Sequence, residues 1–186
     1  MSNIEQKLRN RIFVLNKDVD GASIGALCDS ILKLEADDDE LENTVAGFER
    51  KPIHLFVDSY GGQVYDMWAL IDVIFHSKAP VYTYSIGKTM SAGFQIFLAG
   101  EKRFVADHST LLYHQVSSWT AGKLQDIIED IEETKKLQSS IEQYVKERTG
   151  ITEAELVAWR EGKKDVYFTA DDAIKRGIAT DVWRKE

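Results

Sequence analysis

Hydrophobic and polar positions along this chain switch between the spacing of strands and the spacing of helices. Runs rich in β-branched and aromatic residues predict strands at residues 53–57 and 81–86. Residues 24–32 and 64–75 instead carry apolar side chains at helical spacing. Because strand-like and helix-like segments alternate, the pattern predicts a layered α/β domain.

The segment at residues 120–150 predicts one long helix. Its apolar track consists of Leu124, Ile128, Ile131, Leu137, Ile141 and Val145. A helix of this length usually needs packing against another element or another subunit to be stable. A coiled coil is the alternative, but the track does not keep regular heptads.

An acidic tract at residues 35–40 follows the first predicted helix. It contains three successive aspartates, Asp37, Asp38 and Asp39. The tract lacks the glycine and the spaced ligands of a calcium-binding loop. We therefore expect a solvated surface connection.

Composition and charge narrow the function classes. The 186 residues contain no repeat and no Pro/Gly-rich linker, so residues 1–186 are expected to form a single domain. The net charge of −8 argues against nucleic acid and against an anionic membrane surface as partners. A single cysteine, Cys28, excludes an intrachain disulfide and suits a cytoplasmic protein. No signal peptide and no run of about 18 apolar residues is found, so we expect no membrane span.

Ser91 is the first candidate for chemistry. It follows a strand-like run and Gly87, and it begins a helix of small and apolar residues. Several helix N–H groups lack acceptors at that position, and their partial charge would favour an anion developing near the serine oxygen. The pattern therefore predicts a nucleophile, with a plain helix N-cap as the alternative.

A base and a carboxylate would have to accompany this serine. Of the four histidines, only His114 ends a predicted strand, where an imidazole could accept a serine proton and later return it. Asp165 stands at an element boundary before the strand-like residues 166–168. Asp171 and Asp172 belong instead to a predicted helix start. For His114, a purely structural role is the alternative.

The glycine pair Gly61-Gly62 follows a predicted strand and could supply oxyanion donors. Glycines let backbone N–H groups approach a substrate closely, as acyl transfer requires; a plain strand-to-helix turn is the alternative. The order along the chain is glycine pair, serine, histidine, aspartate. This order excludes three familiar classes of serine hydrolase. The α/β-hydrolases run serine, aspartate, histidine, and the chymotrypsin-like and subtilisin-like enzymes place serine last.

The motifs closely resemble the proteolytic subunit of the Clp protease, a compartmentalised serine peptidase with a crotonase-like fold. The resemblance covers nearly the whole chain. The matching positions are Arg11 to Leu15, Asp58 to Gly62, Gly87, Ser91, Gly93, Gly100, His114, Gln115 and Asp165 to Ala170. An α/β fold of layered sheets with a protruding handle helix at residues 120–150 is therefore expected.

The resemblance implies a serine endopeptidase that cleaves unfolded polypeptides through an acyl-enzyme. Ser91 would be the nucleophile, His114 the general base and then acid, and Asp165 the group that orients His114. The backbone N–H groups of Gly62 and Ala92 would form the oxyanion hole. No metal and no organic cofactor is needed.

This chain departs from the family at positions near the implied site. Tyr60 and Val116 each replace a proline, Asp58 replaces an asparagine, and Ala92 replaces the methionine after the nucleophile. Because the implied oxyanion donors are backbone atoms, these changes leave the reacting groups in place. We expect them to alter the specificity for the substrate.

The resemblance also implies assembly into stacked rings, commonly two of seven subunits, that enclose a chamber. The family's handle helix meets the second ring, so this chain is expected to be a homo-oligomer. The family's usual partner is a hexameric ATPase unfoldase. Residues 1–10 are shorter than the family's pore-lining segment, which leaves ATP-independent cleavage of peptides open.

Two other function classes fit the same residues. A crotonase-type acyl-CoA enzyme would share the fold and the paired backbone donors but would not need Ser91. A catalytically silent ring subunit would only support active relatives. Retention of all three candidate triad residues argues against the silent subunit.

Overall fold

A computed structural model of the chain describes residues 11–184; the short N-terminal segment at residues 1–10 lies outside the described residues. The strands are β1 (Ile12–Leu15), β2 (Ile53–Ser59), β3 (Val81–Met90), β4 (Lys102–Val105), β5 (Thr110–Tyr113), β6 (Val166–Phe168) and β7 (Asp181–Val182). The helices are α1 (Gly21–Thr44), α2 (Val64–His76), α3 (Ala92–Leu98), α4 (Leu124–Arg148), α5 (Glu153–Glu161) and α6 (Ala170–Lys175). The chain therefore folds as the α/β domain that the hydrophobic pattern predicts.

The sheet is mostly parallel, in the order β1-β2-β3-β4-β7. Strand β3 is the longest, and it changes partner along its length. Its first half pairs with β4 and its second half with β5, which in turn pairs antiparallel with β6. The sequence predicts a strand only as far as residue 86, but β3 continues past Gly87 to Met90. Because β5 supplies hydrogen-bond partners beyond Gly87, this residue (φ +58°) bends the strand without ending it.

Helix α3 is the most deeply buried element of the fold. All seven of its residues are buried, and Phe94, Phe97 and Leu98 have no exposed surface. The helix packs against α2, β3 and β2. The residue that precedes α3, Ser91, is therefore supported by a closely packed core and not by a mobile loop.

The acidic tract at residues 35–40 lies inside helix α1, so the expected solvated connection is wrong. Asp38 is only 1% exposed, and its carboxylate accepts two hydrogen bonds from the Arg11 guanidinium, at 2.8 and 2.9 Å. Glu35 accepts hydrogen bonds from the hydroxyl of Ser77 and the N–H of Lys78. The tract is helical because several of its carboxylates have cationic or N–H partners from distant segments.

Replacing Asp38 by alanine is expected to destabilise the fold by about 3–5 kcal/mol, because the Arg11 guanidinium would be left buried without a counterion. The matched control is Asp29→Ala, which breaks the exposed ion pair with Lys33 on the same helix and should cost less than about 1 kcal/mol. Denaturant unfolding of the two variants measures both costs. Equal, small effects would show that the buried pair contributes little.

Helix α4 divides into two halves with different surroundings. Its C-terminal half buries Gln138, Ile141, Tyr144 and Val145 against the domain. Its N-terminal half exposes Leu124, Ile128 and Ile131, which recur at helical spacing. None of the helices in the described part of the chain combines the length and the apolar character that a membrane crossing requires.

Candidate active site

Ser91 lies between β3 and α3 in a backbone conformation that few residues adopt. Its φ of +54° is in the left-handed half of the map, and its N–H donates to the carbonyl of Leu112 at 3.0 Å. Its side chain makes no capping hydrogen bond to α3. Ser91 therefore does not cap the helix through its side chain. Among residues 11–184 its hydroxyl has no partner, and it lies on a strained turn, an arrangement found at nucleophiles.

The segment that follows β2 is held beside Ser91 by backbone hydrogen bonds. The N–H of Val19 donates to the carbonyl of Gly61 at 2.8 Å, and the N–H of Gln63 donates to the carbonyl of Val19 at 2.7 Å. The hydroxyl of Ser59 accepts from the N–H of Gly61 and donates to the carbonyl of Lys17. These bonds fix the position of the glycine pair.

Only glycine fits at the two positions of this pair. A Cβ atom on Gly61 would lie 2.6 Å from Cβ of Ser91 and 2.9 Å from the nitrogen of Ala92. A Cβ atom on Gly62 would lie 2.2 Å from the carbonyl oxygen of Val19. Both residues also have positive φ, +104° and +152°. The glycines thus bring two backbone segments into direct contact, which any side chain would prevent.

Two backbone N–H groups remain uncommitted at this contact. Among residues 11–184, no acceptor is found for the N–H of Gly62 or for that of Ala92. Unpaired backbone donors beside a nucleophile can receive an oxyanion. The geometry is therefore compatible with the predicted oxyanion donors, whose role stays a prediction.

His114 follows β5 and makes one hydrogen bond through its ring. Its Nδ1 lies 2.6 Å from the backbone carbonyl oxygen of Gln115. Because a carbonyl oxygen only accepts, Nδ1 carries a proton, which leaves Nε2 of a neutral ring as the acceptor. That tautomer is the one a base needs to take a proton from a serine. Within the described residues, the hydroxyl of Ser91 has no hydrogen-bond partner, so no hydrogen bond joins it to the His114 ring.

One pocket unites four of the five predicted site residues. It is lined by Gly62, Val64, Met67, Ser91, Ala92, Gln95, His114, Gln115, Val116, Ser117 and Ile141. The wall next to His114 is tied to helix α4, since the N–H of Val116 donates to Oε1 of Gln138 at 2.7 Å. A shift of α4 would therefore move the segment that carries the imidazole.

Asp165 is not brought into this pocket. Residue Tyr113 pairs with Val166 in the antiparallel β5–β6 ladder, so the same register puts Asp165 across from His114. The Asp165 side chain is exposed, however, and within residues 11–184 its carboxylate makes no hydrogen bond. The carbonyl of Gln115 occupies the position on Nδ1 that the carboxylate would need.

Another departure from the family has a local explanation. Asp58, where the family has asparagine, pairs with the ammonium of Lys88 at 2.8 Å, and this hydrogen bond lowers the pKa of the carboxyl. The same ammonium lies 4.8 Å from the ring centre of Tyr60. Asp58 and Tyr60 thus both contact Lys88, beside the glycine pair.

Two polar residues of the pocket region, Gln95 and Gln138, are not identified from the sequence. Gln95 is the only polar side chain of helix α3. A polar residue in so apolar a run could have indicated a functional position. Gln138 gave no such signal, because helix α4 carries many polar side chains.

Within residues 11–184, no group of three His, Cys, Asp or Glu side chains is arranged to hold a metal ion.

Comparison with solved structures supports the fold. ClpP1 of Listeria monocytogenes, as an N165D mutant, superposes with a TM-score of 0.81, covering 98% of this chain and 97% of that one, at 22% identity. This similarity confirms the predicted ClpP-type α/β fold. At that level of identity it shows the fold alone.

Comparison with known sequences supports the family. The family model described as Clp protease matches residues 1–186. The ATP-dependent Clp protease proteolytic subunit 2 of Corynebacterium diphtheriae is 30% identical over 181 residues, which are 96% of this chain and 84% of that protein. The subunit of the same name in Treponema pallidum is 34% identical over 137 residues, 73% of this chain and 68% of its own length. Because the family model spans the full chain and such relatives match most of it, this chain belongs to the Clp protease family.

Proposed function

We propose that this chain is a serine endopeptidase that cleaves flexible or unfolded polypeptides. The observation that carries the proposal is the hydroxyl of Ser91, which lines one pocket with His114 and with the N–H groups of Gly62 and Ala92. Among residues 11–184, this hydroxyl and both N–H groups have no hydrogen-bond partner. Membership of a protease family supports the reaction class. No observation favours the acyl-CoA alternative.

The proposed reaction proceeds in two halves. Nε2 of His114 takes the proton of the Ser91 hydroxyl while Oγ bonds to the substrate carbonyl carbon, and the N–H groups of Gly62 and Ala92 bind the resulting oxyanion. The imidazolium then donates its proton to the leaving amine, and the acyl-enzyme forms. In the second half His114 removes a proton from water, hydroxide attacks the acyl carbon, and Ser91 is released with its proton.

Asp165 would complete the triad after a local rearrangement. The β5–β6 register supports this role, because it puts residue 165 across from residue 114. In the proposed active state the carboxylate replaces the carbonyl of Gln115 as the partner of Nδ1–H. A carboxylate stabilises the imidazolium better than a neutral carbonyl does, so this exchange would raise the reactivity of Ser91.

Assembly is the proposed trigger of this rearrangement. The exposed apolar stripe of α4, made by Leu124, Ile128 and Ile131, has no partner among the described residues and fits an interface with a second copy of the chain. The same helix holds Val116 through Gln138. Packing of the stripe in a ring-forming homo-oligomer would therefore act on the His114 segment. The number of subunits and an ATPase unfoldase as partner are carried over from the family resemblance.

The oligomer gives a direct prediction. Light scattering of the wild-type protein at micromolar concentration should give several times the monomer mass, and Ile128→Asp should lower it because the charge cannot be buried in the interface. Glu129→Ser, a neighbouring exposed position on the same helix, is the matched control and should leave the mass unchanged. A monomer mass for the wild type would contradict the assembly.

A fluorophosphonate tests the chemistry. The assembled wild-type protein should gain a single adduct, seen as one added mass in the intact protein.

A catalytically silent ring subunit is the second candidate, favoured by the hydrogen bond between His114 and Gln115 and by the missing contact of Asp165. Correct assembly without any adduct would establish the silent subunit and overturn the peptidase.

A further inference from the structure

Gln95 lies one helical turn after Ser91 and belongs to the same pocket. Its N–H donates to the carbonyl of Ser91 at 3.2 Å, and its side chain lines the pocket together with Ser91 and His114. The residue is only 3% exposed. An amide is therefore buried beside the predicted reacting groups.

Among residues 11–184, the amide of Gln95 has no hydrogen-bond partner. Its Oε1 is buried without a hydrogen bond, and within residues 11–184 its Nε2 makes none either. Buried polar groups are nearly always hydrogen-bonded, because an unpaired one loses its bonds to water without replacement. An unpaired amide oxygen buried in the wall of the pocket thus points to a donor group that arrives from outside the chain.

The other buried glutamine of the pocket region shows that this fold can satisfy an amide. Gln138 accepts from the N–H of Val116 at 2.7 Å, and its Nε2 donates to Glu142 at 2.8 Å and to the hydroxyl of Tyr113 at 3.3 Å. Both ends of that side chain are used. The unused amide of Gln95 is therefore a local property of the pocket.

The remaining walls of the pocket limit which groups of a ligand can bind to the amide of Gln95. Val64, Met67, Val116 and Ile141 form apolar surface, and no lining residue carries an Asp, Glu, Lys or Arg side chain. The cavity, of about 50 Å³, has room for a short side chain or for ordered water. An uncharged group with its own donor and acceptor would pair with both ends of the amide, whereas a carboxylate can only accept and an ammonium can only donate.

We propose, on the basis of the peptidase function above, that Gln95 is a specificity-determining residue that selects asparagine at the residue whose carbonyl Ser91 attacks. The primary amide of asparagine can accept from Nε2 and donate to Oε1 of Gln95, which satisfies both unpaired atoms. Leucine has nearly the shape of asparagine but leaves the amide of Gln95 unpaired. The cost of a buried unpaired amide corresponds to about 10- to 100-fold in kcat/KM.

The test uses two peptides that differ only by asparagine or leucine at the attacked residue. With the assembled wild-type protein, kcat/KM should favour asparagine at least about 10-fold. Gln95→Met keeps the side-chain length, removes the amide, and should reverse the preference. Gln143→Met, at an exposed glutamine of α4, is the matched control and should keep the wild-type ratio.

The outcomes separate this inference from the proposed function. A wild-type protein that gains the fluorophosphonate adduct but cleaves the leucine peptide equally well or better would overturn the role of Gln95 and leave the peptidase standing. An unchanged preference in Gln95→Met would also overturn it. A wild-type protein that neither gains the adduct nor cleaves either peptide would overturn the peptidase, and the inference with it. The wild-type ratio alone decides the inference if the variant does not fold.

Discussion

Replacing Ser91 by alanine is expected to abolish the fluorophosphonate adduct and to lower the kcat for peptide cleavage about 10⁶-fold. The reason is that the variant retains the pocket and the backbone N–H groups but has no oxygen that can bond to the substrate carbonyl carbon. A small residual rate over water would come from those donors and from substrate binding. Intact-mass measurement and initial rates on one peptide check both expectations.

Ser117→Ala is the matched control for Ser91→Ala. Ser117 lines the same pocket, so the control removes a hydroxyl from the same surroundings without touching the turn between β3 and α3. Labelling and cleavage should stay within a few-fold of the wild type. Cleavage that persists in Ser91→Ala, or an adduct that moves to another residue, would show that Ser91 is not the nucleophile.

Replacing Asp165 by asparagine should lower kcat about 10⁴-fold if the carboxylate becomes the partner of His114 in the assembled protein. Asparagine keeps the size of the side chain but removes the negative charge that would stabilise the imidazolium. Its amide group can also donate to Nδ1, which would hold the ring in the wrong tautomer. Steady-state kinetics over a range of pH, with assembly verified by light scattering, measures the loss.

Asp171→Asn is the matched control for Asp165→Asn. Asp171 is an exposed carboxylate in the first turn of α6, and its loss should change kcat by less than a few-fold. A loss below about 10-fold for Asp165→Asn would mean that the carbonyl of Gln115 is the lasting partner of His114. The triad would then consist of Ser91, His114 and a backbone carbonyl.

The sequence predicts those parts of the site that depend on local structure. The strand at residues 53–57 and the helix at residues 64–75 follow from the periodicity of apolar side chains, and the structure contains β2 and α2 there. The positions of Ser91 before a helix and of His114 after a strand follow from the same local rules. Roles in catalysis stay predictions for both residues.

The sequence does not predict contacts between segments that are distant along the chain. The sequence predicts a solvated connection at residues 35–40, since no local pattern reveals that Arg11, 27 positions before Asp38, pairs with that carboxylate. Strand β3 continues past Gly87 because β5, which begins more than 20 residues later, completes its hydrogen bonds. In both cases a distant partner satisfies the group that decides the local structure.

By itself, the sequence determined the alternation of strands and helices, the family and the order of the candidate residues, because these depend on residue type and short-range spacing. Only the tertiary structure decided how these residues meet. It brings Gly62, Ser91, Ala92 and His114 to one pocket, leaves Asp165 outside it, and buries the unpaired Oε1 of Gln95 in its wall. The physical reason is that hydrogen-bond satisfaction and burial depend on every segment that packs around a group, and no local pattern records those neighbours.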